Sequence, residues 1–574
     1  MKKINLLLAL SFTAILFGCK PETKQETADT VFTNGKIYTV NEARPWAEAF
    51  AIKDGKFLAI GSNDEINAYV ADATEVVDLK GQFTTPGFID THFHSVAASI
   101  LTAEFNTGAA ETNEEMYKML REFAASLPED RTEPLITYGW HLTNFPKEGP
   151  KKEDLDEIFG DLPVLFVRSD GHGAWANTAA LKVANITKDT PDPTEQSYYQ
   201  RDADGNPTGF IEEIPAYFGV YFPMVGDISE EWLESVVTKA FPKFPSVGLT
   251  TAFDPGVLFA QPIPAMNAVH AFNEKHGAVM RVSMSHYSVN QEDDFAAAQA
   301  LINNSKSTDV YSNSIKINVD ASIETGTGLL KEPYIEGSGY EGTGMTVFPI
   351  DEFKALVDKC YANNINMHFH VCGDAGIELV VDAMEASIAK HGKDKARANM
   401  THAMMIDPAD MPRFNDAQAG VSFSALWIMP GPSMDVNYDV VGDRADDFYP
   451  AGRVVQAGAK VGIGSDYPVA TTFPSFAPLD NIEMFVTRAR AGQEGALMQG
   501  KDIDKLSLED AIKAATISNA WLMNGDKEFG SIEVGKSADF VVLEKNLFDV
   551  PSHEISKVKI NGTYYKGNQT FSGN

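Results

Sequence analysis

Cysteine is almost missing from this chain, with only Cys19, Cys360 and Cys372 among 574 residues. Two cysteines beyond the N-terminal segment cannot make a disulfide framework for a chain of this size. Cys372 stands two residues past His370, where it could act as a soft metal ligand or as a small buried residue. Positive charge is also scarce, 47 Lys and Arg against 80 Asp and Glu, a net charge of -33. Such a surface repels polyanions, so nucleic acid and anionic membrane surfaces are excluded as partners, and solubility in a salty or periplasmic setting accounts for it. Long apolar runs are few. The one from Ile4 to Phe17 is too short for a comfortable membrane-spanning helix. No internal repeat or low-complexity segment stands out.

That short run reads as an export signal: Lys2 and Lys3 precede it, and Gly18 and Cys19 follow. The Leu16-Phe17-Gly18-Cys19 ending resembles a bacterial lipobox, which implies cleavage after residue 18 and lipidation of Cys19. Residues 1–18 would then be a lipoprotein-type signal and 19–30 a tether. An ordinary cleaved signal with an incidental Cys19 is the alternative. Either way the expected location is outside the cytoplasm, with any membrane attachment through the N-terminal lipid alone.

The length exceeds one compact core, and 44% hydrophobic with 22% charged residues describes a globular chain. Asn-Gly in VFTNGKIYTV and Asp-Gly in AIKDGKFLAI mark hairpins near the N-terminus, and ADFVVLEKN and SKVKINGTYYKG repeat the style at the other end. The expectation is a small β-sandwich built from 31–85 and 527–574. Between them strands and helices alternate, which calls for parallel βα units, an α/β architecture with a (β/α)8 TIM-like barrel over 86–526. ITYGW, VLFVRSD, TTAFD and VMRVSMSH compete for two strand positions. Assigning about 99–244 to an insertion leaves TTAFD and VMRVSMSH as the second and third barrel strands.

The barrel is organised around TTPGFIDTHFHS, where alternation along a strand would project His92 and His94 together and turn Phe93 away. Partners for this half of a metal site are expected at later strand ends. Lys316 in SIKINVD, His370 in INMHFHV, His402 in ANMTHAM and Asp466 in KVGIGSDYP each close a short apolar run. A bound divalent metal gives a hydrolase its nucleophile by lowering the pKa of its water from about 15.7 to about 7, and imidazole with carboxylate suits zinc. Zinc is the default, as one or two ions, with His92, His94 and Asp466 holding one and His370 and His402 a second. Asp466 could also carry a proton from the nucleophile to the leaving nitrogen, or cap its turn.

The order His-x-His, Lys, His, His, Asp resembles the amidohydrolase superfamily. PGFIDTHFHS, DGHGAWANTAAL, PTGFIEE, KINVDAS, HVCGDAGI, THAMMIDPADMPRF, GSDYPV and GSIEVGKSADFVVL narrow the resemblance to amidohydrolase family 3, the YtcJ-like metal-dependent hydrolases. The resemblance implies a barrel with a β-sandwich from both termini and hydrolysis of a carbon–nitrogen bond in an amide, formamide or cyclic amide by a metal-activated hydroxide. It also implies that Lys316 is carboxylated by carbon dioxide and bridges two metals. Pairing of the Lys316 amine with Asp320 is the alternative. It places DGHGAWANTAAL over the site, so that Asp170, His172 and Asn177 contact a small-molecule substrate, and it matches Glu213 to an acidic position. Trp140 is a candidate pocket wall. Helix capping for Asp170, a core position for Trp140 and a solvated carboxylate for Glu213 stand beside these. Ala321, Thr401 and His141 depart from the family pattern and put pocket shape in doubt. An esterase or lactonase with the same site, or a binding module without turnover, are the competing functions, and homo-oligomerisation is possible.

Overall fold

The computed structural model describes residues 26–573 except 103–104, 109, 111, 147, 170, 194–196, 289–292, 429–431, 470–474 and 495–499. The export segment with Cys19, and Asp170, lie outside the described residues.

Eight parallel strands form one sheet in sequence order: β1 (Phe88–Asp90), β2 (Leu249–Asp254), β3 (Arg281–Tyr287), β4 (Val310–Asn318), β5 (Asn366–Val371), β6 (Ala398–His402), β7 (Ala419–Phe423) and β8 (Lys460–Ile463). Both faces of such strands are covered, which is why their sequences read as near-continuous apolar runs rather than as alternation. The connecting helices include α1 (Ser95–Thr102), α2 (Pro262–His276), α3 (Asp294–Asn303), α4 (Ile350–Ala362), α5 (Asp374–His391), α6 (Ala451–Gln456) and α7 (Pro478–Thr487). α5 starts on Asp374 and ends on Lys390 and His391, charges that complement its dipole, and Gly392 at φ +86° stops it.

The sheet curls until β1 faces β8, and a side chain closes the seam. Buried Asn519, on the helix Ile517–Leu522, donates to the carbonyls of Ile89 at 2.6 Å and Ile463 at 2.7 Å. Its carbonyl accepts from Ile463 N at 3.0 Å.

Between β1 and β2 the chain builds a five-stranded sheet, from Leu135–Trp140, Val164–Arg168, Gly173–Ala176, Tyr198–Arg201 and Pro207–Glu212. ITYGW and VLFVRSD belong here, while Leu249–Asp254 and Arg281–Tyr287 fill the second and third barrel positions. The added sheet packs a core of its own around Trp140, Phe166, Trp175 and Phe210. Tyr138 ties it to the barrel, because its hydroxyl lies against the carbonyls of Ser169 and Pro468, two residues beyond Asp466.

Strands from both ends share a six-stranded sheet in which Phe83–Pro86 pairs antiparallel with Phe540–Leu543. A four-stranded sheet from residues 30–78 packs against it through Phe32, Phe50, Phe57 and Phe540. In its hairpin Asp54 and Gly55 take φ +49° and +73°, as a two-residue primed turn requires. Among the described residues no helix is long and apolar enough to cross a membrane.

Candidate active site at the barrel mouth

β1 ends at Asp90, so His92 and His94 stand just beyond the ladder rather than on it. The alternation persists because Phe93 forms an isolated parallel bridge with Tyr467. Phe93 therefore packs against Phe244, and the two imidazoles turn the other way with ring centroids 5.3 Å apart. Asp90 anchors this exit. Its carboxylate accepts from His92 N at 2.9 Å and from Ser465 N at 3.1 Å, and burial pushes its pKa up to about 7.

Asp466, just past β8, is where the side chains converge. Its Oδ1 lies 3.2 Å from His92 Nε2 and 3.6 Å from His94 Nε2, and its Oδ2 lies 3.9 Å from His402 Nδ1. Trp427 Nε1 donates to Oδ2 at 3.0 Å. His370 joins from β5, its ring centroid 4.5 Å from that of His402. Asp466 and His402 adopt φ +60° and +69°, left-handed values that Asp and His enter more readily than most residues. Such outliers cost about 1–3 kcal/mol and gather at functional sites.

Burial dominates the electrostatics. It drives the pKa of His92 and His402 well below the ordinary imidazole value and that of His370 to about 3, with the Lys316 ammonium adding to each. Neutral rings offer lone pairs. One nitrogen of two of these rings has an acceptor: His94 Nδ1 lies 3.4 Å from the Gly256 carbonyl and His370 Nε2 3.4 Å from that of Ala321. Those contacts fix the tautomers that leave His94 Nε2 and His370 Nδ1 free to bind a cation. Neutral imidazoles around one carboxylate fit a divalent metal.

Lys316 is buried on β4, and burial lowers its pKa to about 7, against a partial rise from Asp466. The alternative pairing with Asp320 does not occur. That carboxylate is filled by three backbone amides, from Leu329 at 2.8 Å, Cys372 at 2.8 Å and Gly373 at 2.9 Å. Asp320, His370 and Cys372 also lie close together, but the amides occupy Asp320 and burial raises the Cys372 thiol well above its usual range. This leaves Cys372 as a small buried residue.

The substrate candidates separate. His172 and Glu213 form an exposed pair, Nδ1 to Oε2 3.1 Å, and His172 is near enough to His370 to depress its pKa. Gly171, beside His172, lies close to Val469, three residues past Asp466, and Glu213 is strained at φ +67°. Asn177 does not. It is fully buried at the start of the helix Thr178–Val183, where its Oδ1 accepts from Val164 N and Ala180 N and its Nδ2 donates to Leu162 O. Every polar atom is spent internally, so Asn177 is a cap rather than a substrate contact. Trp140 is likewise fully buried, its ring against Phe145, Trp175 and Phe210 and its Nε1 donating to Phe166 O at 2.7 Å. It is core, not pocket wall.

Three further residues reach these side chains. Thr401 Oγ1 lies 2.8 Å from His92 Nδ1, Trp427 bonds Asp466, and His368 packs beneath His92 with ring centroids 5.0 Å apart. The signal for His368 was available, since His368 and His370 repeat on β5 the His-x-His spacing of the first strand.

A (β/α)8 barrel with these side chains at its C-terminal mouth defines a metal-dependent hydrolase acting on carbon–nitrogen bonds. The chain belongs to the amidohydrolase family, whose family profile matches residues 75–571. It is 25% identical over 553 residues to the putative amidohydrolase YtcJ of Bacillus subtilis, covering 94% of this chain and 98% of that one. It is 23% identical over 562 residues to an N-substituted formamide deformylase of Arthrobacter pascens, covering 94% and 97%. An uncharacterized metal-dependent hydrolase from Pyrococcus horikoshii shares the fold at a TM-score of 0.71 and 19% identity, covering 91% of this chain and 99% of that one.

Proposed function

We propose that this protein hydrolyses a small amide, formamide or cyclic amide, with Asp466 as the group that moves the proton. The convergence of His92, His94 and His402 on the Asp466 carboxylate, within 3.9 Å, carries the reading. His92, His94 and Asp466 would hold one divalent ion, with zinc the ion their donor types favour, and His370 and His402 a second. When bound, the metal supplies an acidified water and a Lewis acid for the carbonyl.

The residues of the chain do the rest. Asp466 accepts the proton of the attacking water as the carbon–oxygen bond forms, and returns it to the nitrogen as the carbon–nitrogen bond breaks. Trp427 orients the carboxylate by holding Oδ2. His172 and Glu213 bind the polar end of the substrate at the mouth, and their partial exposure supports that role. Lys316, buried with its pKa lowered to about 7, has an amine fraction that could add to carbon dioxide with loss of a proton, and the resulting carboxylate would help to hold the metal. The similarity to a formamide deformylase over nearly the full length supports the N-formyl end of this substrate range. The lipobox-like Cys19 supports an exported, lipid-anchored location.

The test is turnover of a panel of N-formyl, N-acyl, cyclic amide and ester compounds, with zinc added or chelated. Metal-dependent release of amine from at least one nitrogen substrate is expected. Turnover of esters or lactones alone would overturn the amide assignment, and metal binding with no turnover at all would favour a binding module.

A further inference from the structure

His368 is one layer below the mouth, two residues before His370 on β5, and it is buried among barrel side chains. Both its ring nitrogens are engaged. Nε2 lies 3.1 Å from His92 Nδ1 and Nδ1 lies 3.1 Å from Asn399 Nδ2, while the ring stacks on Phe253 at 4.7 Å and 28°. With neither nitrogen free, His368 is no ligand itself. It reaches the inward nitrogen of the residue whose outward Nε2 faces Asp466.

We infer that His368, backed by Asn399, is the positioning residue that sets the ring orientation and tautomer of His92, and through it the affinity of the metal centre. The inference rests on the proposal that His92 holds the metal. Without metal, one direction of hydrogen bonding engages every ring nitrogen: Asn399 Nδ2 donates to His368 Nδ1, His368 Nε2 donates to His92 Nδ1, and His92 Nε2 donates to Asp466. Holding a cation at His92 Nε2 requires the His92 proton on Nδ1, which needs an acceptor. Two groups stand ready, Thr401 Oγ1 at 2.8 Å and His368 Nε2 at 3.1 Å.

His368 Nε2 accepts when its own proton moves to Nδ1, and Nδ1 then needs an acceptor in Asn399. Half a turn of the Asn399 amide supplies one. The Asn399 Oδ1, buried with no hydrogen-bond partner, then gains the His368 Nδ1 proton. A small cavity lined by Phe253, Ser314, His368, Asn399 and Met523 adjoins the amide. The chain His92–His368–Asn399 thus has two hydrogen-bonded arrangements, one for the empty site and one for the loaded site. Partners of metal-bound histidines typically change affinity 10–100-fold when removed.

The experiment measures zinc affinity by chelator competition and the visible absorption of the cobalt(II) form at saturating metal, in the full-length protein and in His92→Ala, His368→Leu, His368→Gln and Asn399→Leu. Thermal melting of each variant checks folding. Expected are loss of the site in His92→Ala, a 10–100-fold weaker affinity and an altered cobalt spectrum in His368→Leu, a smaller change in Asn399→Leu, and recovery of most of the affinity in His368→Gln, whose amide can again accept from His92. Metal bound by the parent and lost in His92→Ala, with His368→Leu and Asn399→Leu indistinguishable from the parent, would overturn the positioning role and leave the metal centre standing. A parent without metal, or a His92→Ala variant that binds as the parent does, would instead remove the metal reading and this inference with it.

Discussion

Lys316 is the residue on which the nuclearity of the proposed metal centre would turn. A lysine buried without a carboxylate partner would ordinarily be a liability, since an unpaired buried ammonium costs several kcal/mol or loses its proton. Lys316 takes the second course, with its pKa lowered to about 7. The expected outcome for Lys316→Ala is a fall from about two metals per chain to one or none by elemental analysis; unchanged stoichiometry would leave Lys316 a barrel-lining side chain. Asp466→Asn keeps the shape and removes the proton acceptor, so a loss of about 10²–10⁴-fold in kcat, with KM little changed, is expected. The buried imidazoles also set an acid limit. His92, His368, His370 and His402 have folded pKa values below the unfolded value of about 6.5, so below that pH the unfolded chain binds more protons at these four. Raised carboxylates act oppositely: Asp90 and Asp320 at about 7, Asp480 at about 6, with Asp254 and Asp374 also raised. The imidazole contribution is therefore read by comparison: from pH 7 to pH 5 the metal-free parent is expected to lose more melting temperature, or gain less, than His368→Leu, and identical profiles would mean that this ring is not buried as a neutral group.

Elements explain which of these residues a sequence displays. A strand end announces itself by an apolar run closing on a polar residue, so His370, His402 and Asp466 could be read from single segments. Lys316 sits two residues before Asn318 ends β4, and it was found by the same pattern. Contacts across the barrel carry no such mark. Thr401 stood out only as a departure from a family pattern, although its hydroxyl touches His92 across 309 residues of chain, and Trp427 looks like any aromatic in a loop. Asn177 and Trp140 fail for the converse reason: a motif near a strand mouth does not say whether a polar side chain turns outward or caps the helix behind it. Asn519, far from every motif, closes the seam between β1 and β8, which carry the two halves of the site. Replacing it with Ala leaves the Ile89 carbonyl without that donor in a buried place, at about 1–3 kcal/mol, while the Ile463 carbonyl keeps Thr91 Oγ1 at 3.2 Å. The expected result is a clear fall in the denaturation midpoint together with weaker metal retention, because the seam spaces His92 from Asp466. A midpoint unchanged within error would show that water or backbone replaces the amide without loss.

At the scale of the molecule, a buried ion pair fastens the sandwich to the barrel, and its chemistry predicts how they depend on each other. Arg281 begins β3 and is fully enclosed; its Nη1 donates to Asp539 Oδ2 at 2.8 Å and to Thr251 Oγ1 at 2.9 Å, and its guanidinium lies 4.1 Å from the Phe529 ring centroid. Asp539 meets it from the loop ahead of the strand Phe540–Leu543, and its other oxygen accepts from Ser537 Oγ at 2.6 Å and Lys566 N at 2.9 Å. One carboxylate thus holds the barrel strand and two sandwich segments. Hairpin signals at both ends of the sequence could announce a shared sheet, but not the bond that fastens it to the barrel, because Arg281 and Asp539 stand 258 residues apart. Removing one member of a buried pair strands the other, at about 3–5 kcal/mol. Asp539→Ala is therefore expected to lower the unfolding free energy by that amount, read as a fall in the denaturation midpoint. The double variant Arg281→Met with Asp539→Ala should recover part of the loss, since no charge is then left unpaired. Activity per folded molecule should stay near the parent value, because the pair lies at the opposite end of the barrel strands from Asp466. A double variant no more stable than Asp539→Ala alone would mean that the carboxylate matters for its bonds to Ser537 and Lys566 rather than for the charge it neutralises.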